Sequence, residues 1–405
     1  MALDFPREAD EIGADLVALR RALHRDPEVG NDLPRTQTRV LEALEGLPLE
    51  ITTGESLTSV VAVLRGSRPG PTVLLRGDMD GLPVREDNDL EYRSANDAMH
   101  ACGHDLHTAG LVGAARLLSA HRDELAGNVV LMFQPGEEGP GGAEPMVAEG
   151  VLDAAGVRVD AAFAVHVLPG ERGVFTVRPG PAMAGSNVLR VTFHGAGGHG
   201  SQPQRALDPV PPLVEFCQAL QVMITRRFSV FDPVVAAITN LSAGEAVNVI
   251  PASASMGASV RTLSAETTRD FPVHARTLAE SVAAGFGCTA EVHWHTQYPP
   301  TVNDREQARF ARDTLTRLFG ADRVVEPEDP LMGSEDFSFV LNEVPGAYYF
   351  LFATPEGIDP ETASMNHSPH VRFDDAVLAD QAASLAALAW EHNARPTPAP
   401  LDSES

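Results

Sequence analysis

Lysine is missing from this 405-residue chain: its 30 basic residues are all arginines, set against 56 acidic ones. The exclusive use of arginine reads as composition rather than function, but the shortage of positive charge matters. A formal net charge of -26 argues against nucleic acid or an anionic membrane as a partner. An anionic small molecule would be repelled globally, so binding one calls for a dedicated local cation. Cysteine is scarce too. Cys102, Cys217 and Cys288 are too few and too scattered for a disulfide framework. No apolar run approaches the roughly 20 residues that span a bilayer. The acidic, amphipathic start MALDFPREADEIGADL lacks the basic-then-apolar order of an export signal. Together these shortages predict a reduced, cytoplasmic protein.

What is present points to two domains, because the chain is longer than one core usually supports. Ile12, Leu16, Leu19 and Leu23 recur at helical spacing over 11–25, and Asp26-Pro27 ends the run. Short apolar runs follow at 59–64, 72–75, 129–133 and 161–167, with a helix expected over 108–120. Such alternation of apolar strands and helices predicts a largely parallel sheet covered on both faces. From about Gly185 the order becomes strand 188–193, helix 210–226, strands 234–241 and 253–263, helix 267–284 and strand 290–295. That is the split βαβ, or ferredoxin-like, arrangement. Alternation resumes near Tyr298 and ends in a long helix over 374–392. The expected division is a first catalytic part at 1–184, an inserted small domain at 185–296, a second catalytic part at 297–394, and a disordered tail at 395–405.

Ligands of open α/β sheets collect beyond the carboxyl ends of the strands. Polar groupings fall at such places: Asp78 to Asp80 after one strand, Cys102 to His107 before a helix, Glu137-Glu138, and His166. Asn366 to His370 lies before the last helix. Cysteine, histidine and carboxylate form the ligand set of first-row metals. Each alone has a plain alternative: His166 as a core histidine, His367 as a loop residue, the glutamate pair as a solvated acidic turn. Their joint placement favours a metal site. Adjacent carboxylates repel and raise each other's pKa, an objection a divalent cation removes. Successive residues of an extended segment face opposite ways. One glutamate could then bind a cation while its neighbour acts as base toward a water.

Nine motifs, LHRDPEVG, RGDMDGLPV, MHACGHDLHTAGLVGAA, FQPGEEGPGGAEPMVAEGVLD, AVHVLPG, GAGGHGSQP, NVIP, MGSEDFSF and NHSP, run in order from Leu23 to Pro369. In this the chain resembles the aminoacylase, hippurate hydrolase and indole-acetyl amino acid hydrolase group of co-catalytic metallopeptidases. The resemblance implies an aminopeptidase-like mixed sheet, covered by helices on both faces, with an inserted ferredoxin-like lid. It implies two divalent metals held by Cys102, His104, Glu138, His166 and His367, with Glu137 as general base. His199 matches a residue that polarises the substrate carbonyl, often across a dimer interface. Asn248 and Arg261 match residues that hold a substrate carboxylate, and an arginine clamps such a group bidentately.

The wider superfamily commonly has histidine where this chain has Asp78, and a bridging aspartate at the place of Cys102. Asp78 and Asp80 are expected to orient ligands from behind. Asp105 and His107 could do likewise, or could cap and pack the following helix. Ser334 to Asp336 would line the cleft or order its loop. A thiolate with imidazoles suits zinc, cobalt or nickel, and a carboxylate also suits manganese. The implied reaction is hydrolysis of an N-acyl L-amino acid by a homodimer or higher homo-oligomer. A dipeptidase or carboxypeptidase with the same site, and a non-catalytic amide-binding protein, are the alternatives.

Overall fold

A computed structural model describes residues 3–395, so the expected disordered tail lies outside the described residues apart from Arg395. The chain forms two compact units. One gathers the chain up to Gly180, then Asn303–Glu328 and the chain from Phe339; the other holds Pro181–Val302 and Asp329–Ser338.

The first unit is built on an eight-stranded sheet. Its order is Leu49–Thr53, Val60–Arg65, Ala126–Gln134, Arg68–Asp78, Ala161–Leu168, Gly346–Phe352, Phe175–Thr176 and Val324–Val325. The first two pairings are antiparallel and the next three parallel. Phe175–Thr176 then runs antiparallel to Gly346–Phe352 and parallel to Val324–Val325. The sheet is thus mixed rather than largely parallel. An apolar run such as Val60–Leu64 reports burial on both faces but carries no mark of direction. Every residue from Pro71 to Asp78 is buried, so both faces of this central strand are covered.

Helix His104–Ala120 is buried along nearly its whole length, as an all-round apolar helix must be. It packs on helices Phe5–His24 and Val377–Asn393 and against strand Arg68–Asp78. Its start lies four residues ahead of the expected one, so the histidine cluster occupies its first turn. Gly103 makes this possible. It adopts φ 85°, and a Cβ there would meet Val167 Cγ2 at 2.3 Å, so only glycine fits both the turn and the approach.

A buried ionic cluster ties this helix to its neighbours. Asp105 stands 2.7 Å from Arg20 Nε and 2.8 Å from His24 Nδ1. Arg20 Nη1 in turn donates to Tyr92 Oη at 2.7 Å and to Asp375 at 2.9 Å. Burial alone would raise the Asp105 carboxyl, but Arg20 and His24 hold it far below the usual carboxylate range.

The second unit carries a four-stranded antiparallel sheet ordered Val235–Ala243, Ser253–Thr262, Gly185–His194, Thr289–Tyr298. Helices Val210–Arg227 and Ala265–Gly285 pack on each other and on this sheet. The order along the chain is β-α-β-β-α-β, the ferredoxin-like arrangement. Alternate residues of Gly185–His194 are buried, the mark of a sheet covered on one face. Ser264 caps the second helix, accepting from Thr267 N–H at 3.0 Å. Residues 329–338 join through Leu331, which exchanges backbone hydrogen bonds with Ala182 and Ala184 at 2.9 Å. Among the described residues no helix is long and apolar enough to cross a membrane.

Candidate metal centre

The parallel strands end together, and the polar residues beyond their carboxyl ends converge. A ligand atom each from Cys102, His104 and His166 lie within 4.8 Å of one another, as do those of Cys102, Glu138 and His367. Cys102 is common to both triads. His104, Glu137 and Glu138 form a further group of the same span. The first unit thus brings together all five expected ligands and the expected base.

Local structure explains each position. His166 Nδ1–H donates to the Val167 carbonyl at 2.8 Å. This fixes the tautomer and leaves Nε2, 3.3 Å from Cys102 Sγ, with its lone pair toward the cluster. His367 is the one non-glycine among the described residues with positive φ, at 70°. Its N–H is tied to the Ala101 carbonyl at 2.9 Å, and its Nε2 lies 3.0 Å from Glu138 Oε1. A non-glycine held there costs roughly 1–3 kcal/mol and persists only where the surroundings impose it.

The glutamate pair departs from expectation. Residues 137–140 form a turn, not an extended segment, so strand alternation cannot be what separates the two side chains. Asp80 does the arranging instead. Its Oδ1 accepts the Glu137 N–H at 3.0 Å and its Oδ2 the Glu138 N–H at 3.1 Å. One buried carboxylate therefore sets the backbone of both glutamates, and Asp80 Oδ1 also stands 3.4 Å from His104 Nδ1.

Asp78 serves a different partner. It accepts from Arg76 Nη1 at 2.7 Å and from His107 Nδ1–H at 2.6 Å. Burial would raise its carboxyl, but Arg76 and the two histidines beside it hold it well below the usual range. His107 Nε2 accepts the Val167 N–H at 2.8 Å, so both of its nitrogens are engaged and it has none left for a cation. Asn366 entered the sequence reading only as one end of the Asn366 to His370 grouping, with no role of its own. Its amide nitrogen lies 3.3 Å from the Val167 carbonyl and 3.4 Å from Cys102 Sγ, and only its place beside His367 hinted at such a part.

The donor set fits divalent cations. Cys102, His104 and His166 are buried and supply the soft and borderline donors of zinc-type sites. Both ring nitrogens of His104 are buried without a well-formed hydrogen bond. Carboxylate oxygens do approach the His104 nitrogens at 3.4 Å, but too poorly aligned to satisfy them. Buried polar atoms left so are costly, and a cation would satisfy them. Burial pushes the Cys102 thiol up. Hydrogen bonding to Cys102 and Glu138 pushes His367 up to about 10. The cluster therefore holds protons that cations would displace.

The remaining expected residues lie in the second unit. His199 pairs with Val249 in a short ribbon, and Gly200 N–H donates to the Asn248 carbonyl at 2.8 Å. His199 and Asn248 are thus neighbours. The Ser201 N–H donates to His199 Nδ1 at 3.1 Å, which leaves the ring proton on the exposed Nε2. Arg261 sits on strand Ser253–Thr262, and its Nη1 is buried without a partner. Glu335 accepts the Phe337 N–H at 2.9 Å, ordering its own loop.

Residues 74–391 match the model of peptidase family M20/M25/M40. The thermostable carboxypeptidase 1 of Saccharolobus solfataricus is 36% identical over 385 residues, covering 94% of this chain and 95% of that protein. The N-acetylcysteine deacetylase of Bacillus subtilis is 34% identical over 377 residues, covering 92% and 96%. Among solved structures, a Bacillus subtilis dinuclear metal-binding peptidase of the M20 family superposes with a TM-score of 0.81. It is 31% identical, with coverage of 95% of this chain and 99% of that one. With these matches running nearly end to end, the chain belongs to peptidase family M20/M25/M40.

Proposed function

We propose that the protein hydrolyses the amide bond of N-acyl L-amino acids, giving a carboxylic acid and a free amino acid. The observation that carries this reading is the buried Glu137 carboxylate beside two ligand triads that share Cys102. Cys102, His104, Glu138, His166 and His367 would hold two divalent cations, with zinc, cobalt, nickel and manganese all compatible with the donors. When bound, such cations supply Lewis acidity toward the amide carbonyl and acidify a water. Glu137 takes a proton from the attacking water and returns it to the departing amine nitrogen, the usual double duty of one acid–base group. His199 donates its Nε2–H to the carbonyl oxygen as negative charge develops there. Removing one such donor typically costs about a hundredfold or more in rate. Arg261, with its unpartnered buried Nη1, pairs with the substrate carboxylate and meets the need for a local cation in so acidic a chain. Asn248 assists it.

The segment 185–296 is assigned as a lid. Its edge strand carries exposed Val235 and Leu241, which suits self-association into a homodimer. A reducing, cytoplasmic setting suits the free thiol of Cys102. The 36% identity to a carboxypeptidase favours peptide cleavage as the second reading, since a free carboxylate beside an amide is common to both substrate classes. Rates on hippurate, N-acetyl amino acids, indole-acetyl conjugates and dipeptides separate the two. Glu137→Gln should keep its cations and lose nearly all turnover. Near wild-type turnover in that variant, or full activity after exhaustive chelation, would sink the reading.

A further inference from the structure

Val167 is an unusual crossing point. Strand Arg68–Asp78 pairs with Ala161–Leu168 only as far as Arg76 and Ala164, three residues short of Val167. Beyond that point the strand edge has no backbone partner on this side among the described residues, and side chains take over. His107 Nε2 accepts the Val167 N–H at 2.8 Å. The Val167 carbonyl receives His166 Nδ1–H at 2.8 Å and has the Asn366 amide nitrogen at 3.3 Å. Its side chain presses on Gly103, between Cys102 and His104, so closely that no Cβ fits there. One residue that is not itself a ligand therefore touches the carriers of all the histidine and cysteine ligands.

We propose that His107 is a positioning residue for the metal centre, holding the Val167 peptide, and through it the His166 ring, in register with Cys102. This rests on the metal-site part of the reading above and is independent of the substrate. His107 suits the task because each nitrogen has one fixed job. Nε2 can accept from Val167 only if the ring proton is on Nδ1, and Asp78 holds it there at 2.6 Å. Arg76 anchors Asp78 in turn at 2.7 Å. His107, Asp78 and Arg76 are at most 1% exposed, so no water competes. The line Arg76, Asp78, His107, Val167 N–H, Val167 carbonyl thus ends at His166 Nδ1, on the ring whose Nε2 faces the cluster. Partners of this kind behind a metal-bound histidine typically contribute about 10- to 100-fold in metal affinity.

Two variants divide the role from simple packing. His107→Gln sets Oε1 where Nε2 stood and still accepts from Val167. His107→Asn keeps an N–H for Asp78 and leaves the Val167 N–H unpartnered. Cobalt(II) affinity of the full chain is measured by competition with a chromophoric chelator, together with the visible spectrum of the cobalt(II)-loaded protein. We expect the glutamine variant within about threefold of wild type, and the asparagine variant weaker by about 10- to 100-fold with shifted ligand-field bands. The metal-free circular dichroism of both should stay wild-type. Equal affinity in the two variants, strong or weak, overturns the proposal. So does loss of the metal-free spectrum in the asparagine variant, which would make His107 a folding residue only. A wild-type chain that binds no cobalt(II) would instead remove the metal site itself.

Discussion

Asp80→Asn changes a single group in the clamp on the glutamate pair. In the native turn the two oxygens of Asp80 accept the Glu137 and Glu138 N–H groups at 3.0 and 3.1 Å. Asparagine keeps one acceptor and sets an NH2 group against the other N–H. A hydrogen bond to a charged partner contributes about 1.5–3 kcal/mol, and each ~1.4 kcal/mol corresponds to tenfold in rate. A turn that relaxes to escape the donor–donor contact carries the Glu137 carboxylate with it. The loss should therefore be about 10- to 100-fold and should fall on kcat, because the proton transfer proposed for Glu137 belongs to the transition state. Asp80 also faces His104 Nδ1 at 3.4 Å, so the assay is steady-state hydrolysis of hippurate at saturating cation. Metal content is determined on the same sample. A kcat within twofold of wild type at full metal content would refute the clamp.

Further outcomes follow from the same geometry. Arg261→Ala should lower kcat/KM on N-acyl amino acids by about 10- to 100-fold, the worth of a charge-assisted pair. It should barely affect the corresponding C-terminal amides, and an equal loss on both would rule out the clamp on the carboxylate. Arg20→Met leaves Asp105 buried without its nearest cation, a change that typically costs about 3–5 kcal/mol. Denaturant unfolding of the metal-free chain reads it, and an unchanged midpoint would contradict the ionic cluster. His392 lies edge-on to Phe163 and Phe310, and burial pushes it down to about 4. It is therefore neutral in the fold, while the unfolded chain protonates it near pH 6.5. Its contribution is complete above about pH 6.5 and is lost as the pH falls toward 4. The drop in unfolding midpoint between pH 7 and pH 5 should be smaller in His392→Phe than in wild type. An identical drop would exclude His392 as a source of that pH dependence.

Some of this architecture was legible in the sequence, and the reasons differ by element. The ferredoxin-like order could be read because its strands alternate and its helices keep a clear period. Helix Pro34–Leu44 and strand Leu49–Thr53 were missed. The helix lacks a side-chain cap at Leu33 but does open on Pro34, a usual start signal that went unread, whereas the strand is almost wholly exposed and carries little signal. The convergence of Cys102, His104, Glu138, His166 and His367 could be expected because strand ends gather polar residues on one edge. The arrangement behind them could not. Asp80 holding two amide groups some 57 residues away and His107 reaching the backbone of another strand leave no periodic trace. Both depend on side chains filling hydrogen-bonding positions that neighbouring strands vacate. Strand alternation does not separate Glu137 from Glu138, because by residue 137 the chain has left the sheet and turned.

The sheet of the first unit interleaves distant parts of the chain. Gly346–Phe352 lies between Ala161–Leu168 and Phe175–Thr176, with Phe350 opposite His166. A ribosome delivers the chain from its N-terminus, and domains tend to fold in that order. The strand bearing His166 is thus made long before its neighbour exists, and it waits with one edge open, the kind of edge that invites wrong pairing. Meanwhile the strands and helices from Gly185 to Tyr298 are complete and can close on themselves. His367 comes later still, after the last strand of the sheet. Four of the five proposed ligands, Cys102, His104, Glu138 and His166, are therefore synthesised early and remain an unfinished set until His367 follows. On the proposed ligand set, a complete site would wait for the arrival of the segment bearing His367, not for the folding of the strands that carry the other four residues.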